Sequence, residues 1–182
     1  DLSTFCVLPW LHRFTNVGGE IQVCCTSEEF DNNIKHEDGT PMKAPMDLND
    51  EAIMNSQFMN NLRLQLLSGQ WPSFCQRCES TEANNGISRR QVENQAYEED
   101  VKALLENTNE DGSLKKIEIK SLDIRTGNQC NLACRMCNPR SSTKWINEWH
   151  EYHILPYRMS NDLKKEYLSY DWYKTDRMKS YF

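Results

Sequence analysis

The stretch "CNLACRMC", residues 130–137, places Cys130, Cys134 and Cys137 in eight positions with the spacing C-x3-C-x2-C. It follows "KKIEIKSLDIRTG", residues 115–127, where Ile117 and Ile119 alternate and Leu122 and Ile124 alternate in the opposite phase. That pattern predicts a strand with a bulge or kink near Lys120 and Ser121, leading directly into the cysteine loop. A closed zinc site takes four ligands and a redox pair takes two. Three thiolates in one short loop suit a cubane cluster, holding three irons and leaving the fourth open to a substrate or cofactor.

Working outward, the chain alternates helical patterns with turns. Met54, Phe58, Leu62 and Leu66 recur every four residues, predicting a helix from about Asn49 to Ser68 with Gly69 as its stop. A second helix is expected from about Ser88 to Glu106. "GGEIQVCC" reads as a turn at Gly18 and Gly19 before a short strand from Ile21 to Cys24. Residues 31–47 read as a polar loop. "NTNEDGS", Asn107 to Ser113, has no apolar anchor and reads as a linker between two parts. After the cysteine loop, Ser141 or Ser142 is expected to cap a helix that carries Trp145 and Trp149 one turn apart. The aromatic, charged tail to Phe182 is expected to hold one more helix.

Composition narrows the function. The 182 residues are 38% hydrophobic and 26% charged, a globular balance with a modest core. A net charge of −6 argues against a nucleic-acid face, which needs basic surface. No apolar run is long enough for a membrane span, and no secretion signal opens the chain. Eight cysteines in such a chain read better as metal ligands than as a disulfide framework. The cytoplasm is the expected compartment, since free thiols and low-potential clusters need reducing conditions.

The three-cysteine loop leaving a strand resembles the signature of the radical SAM superfamily, and the "CNL" opening, Cys130 to Leu132, fits it well. The resemblance implies a [4Fe–4S] cluster on Cys130, Cys134 and Cys137. Its open iron binds the amino and carboxylate groups of S-adenosylmethionine, and reductive cleavage yields a 5′-deoxyadenosyl radical. Most members carry an aromatic residue beside the adenine just before the third cysteine. Here Met136 stands there, and a thioether also lies well against a ring. The preceding strand becomes the first of a partial (β/α)6 barrel, with the loop at its C-terminal end. The alternative is three of four zinc ligands with the fourth elsewhere.

Cys6 and Cys24 form C-x12-G-x4-C around Gly19, and Cys75 and Cys78 form C-x2-C. This set resembles the SPASM and twitch modules that accompany radical SAM barrels, as do the flanking "FCVLPW" and "WPSFCQRCES". The resemblance implies an auxiliary [4Fe–4S] cluster on Cys6, Cys24, Cys75 and Cys78. Cys25 is then a spare, although neighbours such as Cys24 and Cys25 can trade. A four-cysteine zinc site fits the same spacing. In relatives the barrel usually comes first; here the module does.

The expected fold is therefore α+β: a twitch-like module over residues 1–110, then the first β/α portion of a radical SAM barrel over residues 117–182. The implied activity is that of a radical SAM oxidoreductase acting on a peptide or protein, with a flavodoxin or ferredoxin as electron donor. The rivals are a zinc-binding interaction module and a cluster-binding remnant without activity. The family's Gly-Gly-Glu element follows the cluster loop; Gly18-Gly19-Glu20 precedes it and reads as a turn. Only 45 residues follow Cys137, against the roughly 200 or more of a β/α barrel, so a fragment or truncated barrel is expected, inactive by itself.

Several other residues attract attention with blander readings. His150 and His153 lie i, i+3 without a third ligand and read as surface or core residues. Trp145 and Trp149 read as packing, and "YEED", Tyr97 to Asp100, as a solvated acidic face. Arg89 and Arg90 read as partners for carboxylates. Asn128 reads as a residue that shapes the loop or bonds a cluster sulfide.

Overall fold

The computed structural model describes residues 2–27, 32–152 and 159–181. It is an α+β chain that divides into two compact units. The first comprises Asp1–Phe14, Ile21–Lys43 and Asp47–Asp123; the second comprises Thr15–Glu20, Ala44–Met46 and Ile124–Phe182.

In the first unit, one helical turn, α1 (Leu8–Leu11), leads into strand β1 (His12–Thr15), which is buried along its whole length. A turn at Gly18 and Gly19 follows as expected, in the stretch Thr15–Glu20 that belongs to the second unit. Gly19 sits at φ +89°, the left-handed region that glycine tolerates, and the Asn16 side chain accepts from the Gly18 and Glu20 amides. Strand β2 is only Ile21–Gln22, shorter than predicted.

The helix predicted over residues 49–68 is two helices, α2 (Asp50–Met54) and α3 (Gln57–Leu67). The break serves the core. The Asn55 side chain pairs with both backbone groups of Leu114, at 2.8 and 3.1 Å, and Ser56 caps α3. The Met54 carbonyl, released from the helix, accepts from buried Arg63. Helix α4 (Gln76–Ala83) follows a short 3₁₀ turn, Ser73–Cys75. The helix predicted over residues 88–106 is also broken. α5 (Arg89–Ala96) starts on a Ser88–Gln91 capping box, and a 3₁₀ turn, Glu98–Asp100, separates it from α6 (Val101–Glu106).

Residues 107–113 are not a linker. Thr108 and Leu114 bridge, and Asn109 and Gly112 close a tight turn between them. The Gly112 carbonyl takes a hydrogen bond from Arg63, and Thr108 accepts one from the Trp10 indole. The division between units therefore falls after Asp123, not at 107–117. Residues 117–120 are extended, with Ile117 and Ile119 against the core. Regular strand β3 spans only Ser121–Ile124, starting where the kink was expected. The sheet order is β2-β1-β3. Lys120 bonds Leu11 and Arg125 bonds Thr15, both at 2.9 Å, ascending together, so β3 runs parallel to β1. The core joins Phe5, Val7, Trp10, Leu11, Ile21, Ile53, Met59 and Leu66.

In the second unit, the cysteine loop leads to a 3₁₀ turn, Thr143–Trp145, then α7 (Ile146–Tyr152), α8 (Asn161–Leu168) and α9 (Asp176–Tyr181). Among the described residues, its buried apolar side chains include Ala44, Ile146, Met159, Tyr170, Trp172 and Met178. The Trp172 indole donates to the Val17 carbonyl and lies against Gly19, where a side chain would collide with its ring. His150 pairs with Asn161 at 2.8 Å; His153 lies outside the described residues.

Candidate metal centre

Three segments of the first unit each bring cysteines to one cavity. Cys6 stands just before α1, between buried Phe5 and Val7. Cys24 follows β2. Cys75 ends the 3₁₀ turn that precedes α4, and Cys78 lies in the first turn of that helix. All four line the cavity, with Leu8, Val23, Leu66 and Trp71 as its apolar wall. Cys25 does not line it: the Cys25 sulfur accepts a hydrogen bond from Arg89 at 3.1 Å. Of these two adjacent cysteines, only Cys24 lines the cavity.

Two of these thiols, Cys6 and Cys75, are pushed up. Burial pushes the Cys6 thiol well up, and the charges of Cys24, Cys75 and Cys78 push it further. Burial and the charges of Cys24 and Cys78 push Cys75 up to about 12. Bare thiols in such a place stay protonated, whereas a metal replaces the proton and offsets the repulsion. Among the described residues, no three His, Cys, Asp or Glu side chains are gathered tightly enough to hold a metal ion as they stand. The cavity, rather than a shared point, is what the four thiols have in common. A four-thiolate donor set in an apolar wall with arginines at hand fits a closed iron–sulfur or zinc centre.

Arginines complete the wall. Arg89 and Arg90 both line the cavity. Arg89 bonds Glu93 at 2.7 Å as well as Cys25, and these two charges hold its guanidinium above its ordinary value against the opposing effect of burial. Arg90 bonds Glu82 through Nε and Nη2 at 2.9 and 2.5 Å and packs over the Trp71 ring. The carboxylate pairing expected of both arginines is present. What sequence reasoning missed is that these pairs stand at the cysteines. The Ser88-x-x-Gln91 capping box fixed where the helix begins, which sets the side that each arginine faces.

The second cysteine set lies in the second unit, on an irregular loop. Cys134 is exposed, and Cys130 and Cys137 are half-buried. Asn128 anchors the loop's base. It is 3% exposed, and its amide donates to the carbonyls of Tyr167 and Pro139 at 2.9 and 3.3 Å, while its own carbonyl accepts from Thr143. Of its two anticipated roles, the structure displays loop shaping. Ser142 donates to the Leu132 carbonyl and Trp145 to the Cys134 carbonyl, so neither residue acts as anticipated: Ser142 makes no side-chain cap and Trp145 pins the loop. A Cys134–Cys137 turn brings those two together. Met136 is 98% exposed. Three thiols on a pinned, solvent-facing loop fit in number and access the open cluster that the resemblance implies.

No helix among the described residues is long and apolar enough to cross a membrane. Compared with known proteins, the chain matches no family model, no curated protein and no solved structure.

Proposed function

We propose that this chain is a cluster-binding part of a radical SAM oxidoreductase that modifies a peptide or protein. In this reading Cys6, Cys24, Cys75 and Cys78 hold an auxiliary [4Fe–4S] cluster in a twitch-like module. Cys130, Cys134 and Cys137 hold the cluster that binds S-adenosylmethionine, and strand β3 opens the barrel. The observation that carries it is the convergence of four cysteines from three distant segments on one cavity, in a chain that also carries C-x3-C-x2-C on a pinned loop after a strand. When bound, the loop's cluster supplies the electron that cleaves S-adenosylmethionine. The protein's own part is to hold thiolates: Asn128, Ser142 and Trp145 fix the loop, and the apolar wall lines the N-terminal set. A flavodoxin or ferredoxin is the proposed electron donor.

Iron, sulfide and zinc are measured per chain after anaerobic reconstitution, in the wild type and in Cys130→Ala/Cys134→Ala/Cys137→Ala. About eight irons falling to about four supports two cubane clusters, one on each cysteine set. Zinc without sulfide in either protein overturns the proposal and leaves a structural zinc module.

A further inference from the structure

Helix α5 carries no cysteine, yet it touches each of the three segments that bring cysteines to the cavity. Its Asn94 brackets Cys6: the side-chain oxygen accepts from the Val7 amide at 2.8 Å, and the amide nitrogen donates to the Phe5 carbonyl at 2.7 Å. One turn earlier on the same face, Arg90 donates to that same Phe5 carbonyl at 2.7 Å. The remaining edge of the Arg90 guanidinium grips Glu82 on α4, four residues beyond Cys78. Ser88, the residue that caps α5, adds a third bond to Glu82 at 2.6 Å. Arg89 reaches the third segment through Cys25, next to Cys24.

These contacts have a common geometry. Arg90 is buried, and its planar fork spans a carbonyl on one ligand segment and a carboxylate on another, a task lysine's single ammonium cannot repeat. Asn94 fixes both peptide units beside Cys6, which sets the direction of the thiol between them. Cys6 is otherwise remote in sequence from Cys75 and Cys78, so their common position depends on a third element that holds both.

Building on the metal-site reading above, we infer that Arg90 and Asn94 are positioning residues for the four-cysteine centre, with α5 as the bracket that aims Cys6 at the other thiols. Removing either leaves a folded chain whose centre is short of one thiolate. Groups that orient metal ligands typically change affinity by about 10–100-fold when lost.

The test uses cobalt(II) as the probe, added anaerobically to the full chain in the Cys130→Ala/Cys134→Ala/Cys137→Ala background, so that only the N-terminal set binds. The intensity of the thiolate-to-cobalt charge-transfer band reports how many thiolates bind each ion. The parent should show a four-thiolate spectrum. Asn94→Leu and Arg90→Met should each show about three thiolates and bind at least about 10-fold more weakly. Arg90→Lys should not restore the fourth. Asn94→Asp, which keeps size and the acceptor for Val7 but not the donor to Phe5, covers the case in which Asn94→Leu does not fold. Ile53→Val, a core change away from the cavity, serves as a control for lost stability and should keep all four thiolates. Variants with the parent's spectrum and affinity overturn the inference. Thiolate loss in Ile53→Val equal to that in the α5 variants also overturns it, since stability alone then explains the effect. A parent without a four-thiolate spectrum instead overturns the metal-site reading on which the inference rests.

Discussion

The guanidinium of Arg63 donates to the Met54 carbonyl at 2.6 Å across the break between α2 and α3. Its other donors reach the Pro9 and Gly112 carbonyls, both at 3.0 Å, and its plane lies over the Trp10 ring. Burial lowers the Arg63 pKa to about 10, so the group remains charged at neutral pH. Arg63→Met should lower unfolding stability by about 3 kcal/mol, because three buried carbonyls lose their donor. Arg63→Lys should recover only part of it, since an ammonium cannot reach three diverging acceptors. Urea unfolding of the three proteins checks this; equal stability would refute the role assigned to Arg63.

His12 makes stability depend on pH. It is buried on β1, its Nδ1 pairs with Ser121 at 2.8 Å, and among the described residues its Nε2 has no partner. Burial, and then the charge of Arg89, lowers its pKa below the ordinary 6.5. The unfolded chain therefore takes up this proton more readily than the folded one. Stability contributed by neutral His12 is full above pH of about 6.5 and is lost as pH falls toward the folded pKa. Thermal melts between pH 7.5 and 5 should show a decline that His12→Asn makes shallower. Identical slopes would show that other groups govern the decline.

Cys24 and Cys25 should separate cleanly. In the background lacking Cys130, Cys134 and Cys137, Cys24→Ser should lose most of the bound metal, while Cys25→Ser should retain it, because only Cys24 lines the cavity. Metal analysis of the purified proteins decides, and the reverse result would move the ligand to Cys25.

Asn128→Ala should loosen the three-cysteine loop without unfolding the chain. Two donations to Tyr167 and Pro139 disappear, about 1.4 kcal/mol if one net bond is lost. Hydrogen exchange of amides 129–141 should then accelerate about tenfold. Unchanged exchange would mean that Ser142 and Trp145 suffice to pin the loop.

Parts of this molecule were legible in its sequence for simple physical reasons. The four-residue recurrence from Met54 to Leu66 marked a buried helical face, but it continued unbroken across Asn55. The break there answers to Leu114, 59 residues away, which no local pattern encodes. Residues 107–113 are polar enough to read as a linker, yet their polar groups serve the core: the Gly112 carbonyl accepts from Arg63 and the Thr108 hydroxyl from Trp10. Cys6, Cys24, Cys75 and Cys78, far apart in sequence, all line one cavity. The Asn94 contacts and the Arg90 contact to Phe5 were hidden because their targets are backbone groups of Phe5 and Val7, which leave no residue type to read.

The bracket on α5 also sets an order of events in synthesis. A chain growing from its N-terminus displays Cys6, Cys24, Cys75 and Cys78 before residues 89–94 exist to aim the first of them. During that interval the thiols are ungathered and open to oxidation or to stray metals. The interval closes only once α5 is made and its Asn94 and Arg90 can reach Phe5, Val7 and Glu82. Nascent chains arrested before α5 is made, and after it has cleared the ribosome, should differ in how fast Cys6 is alkylated.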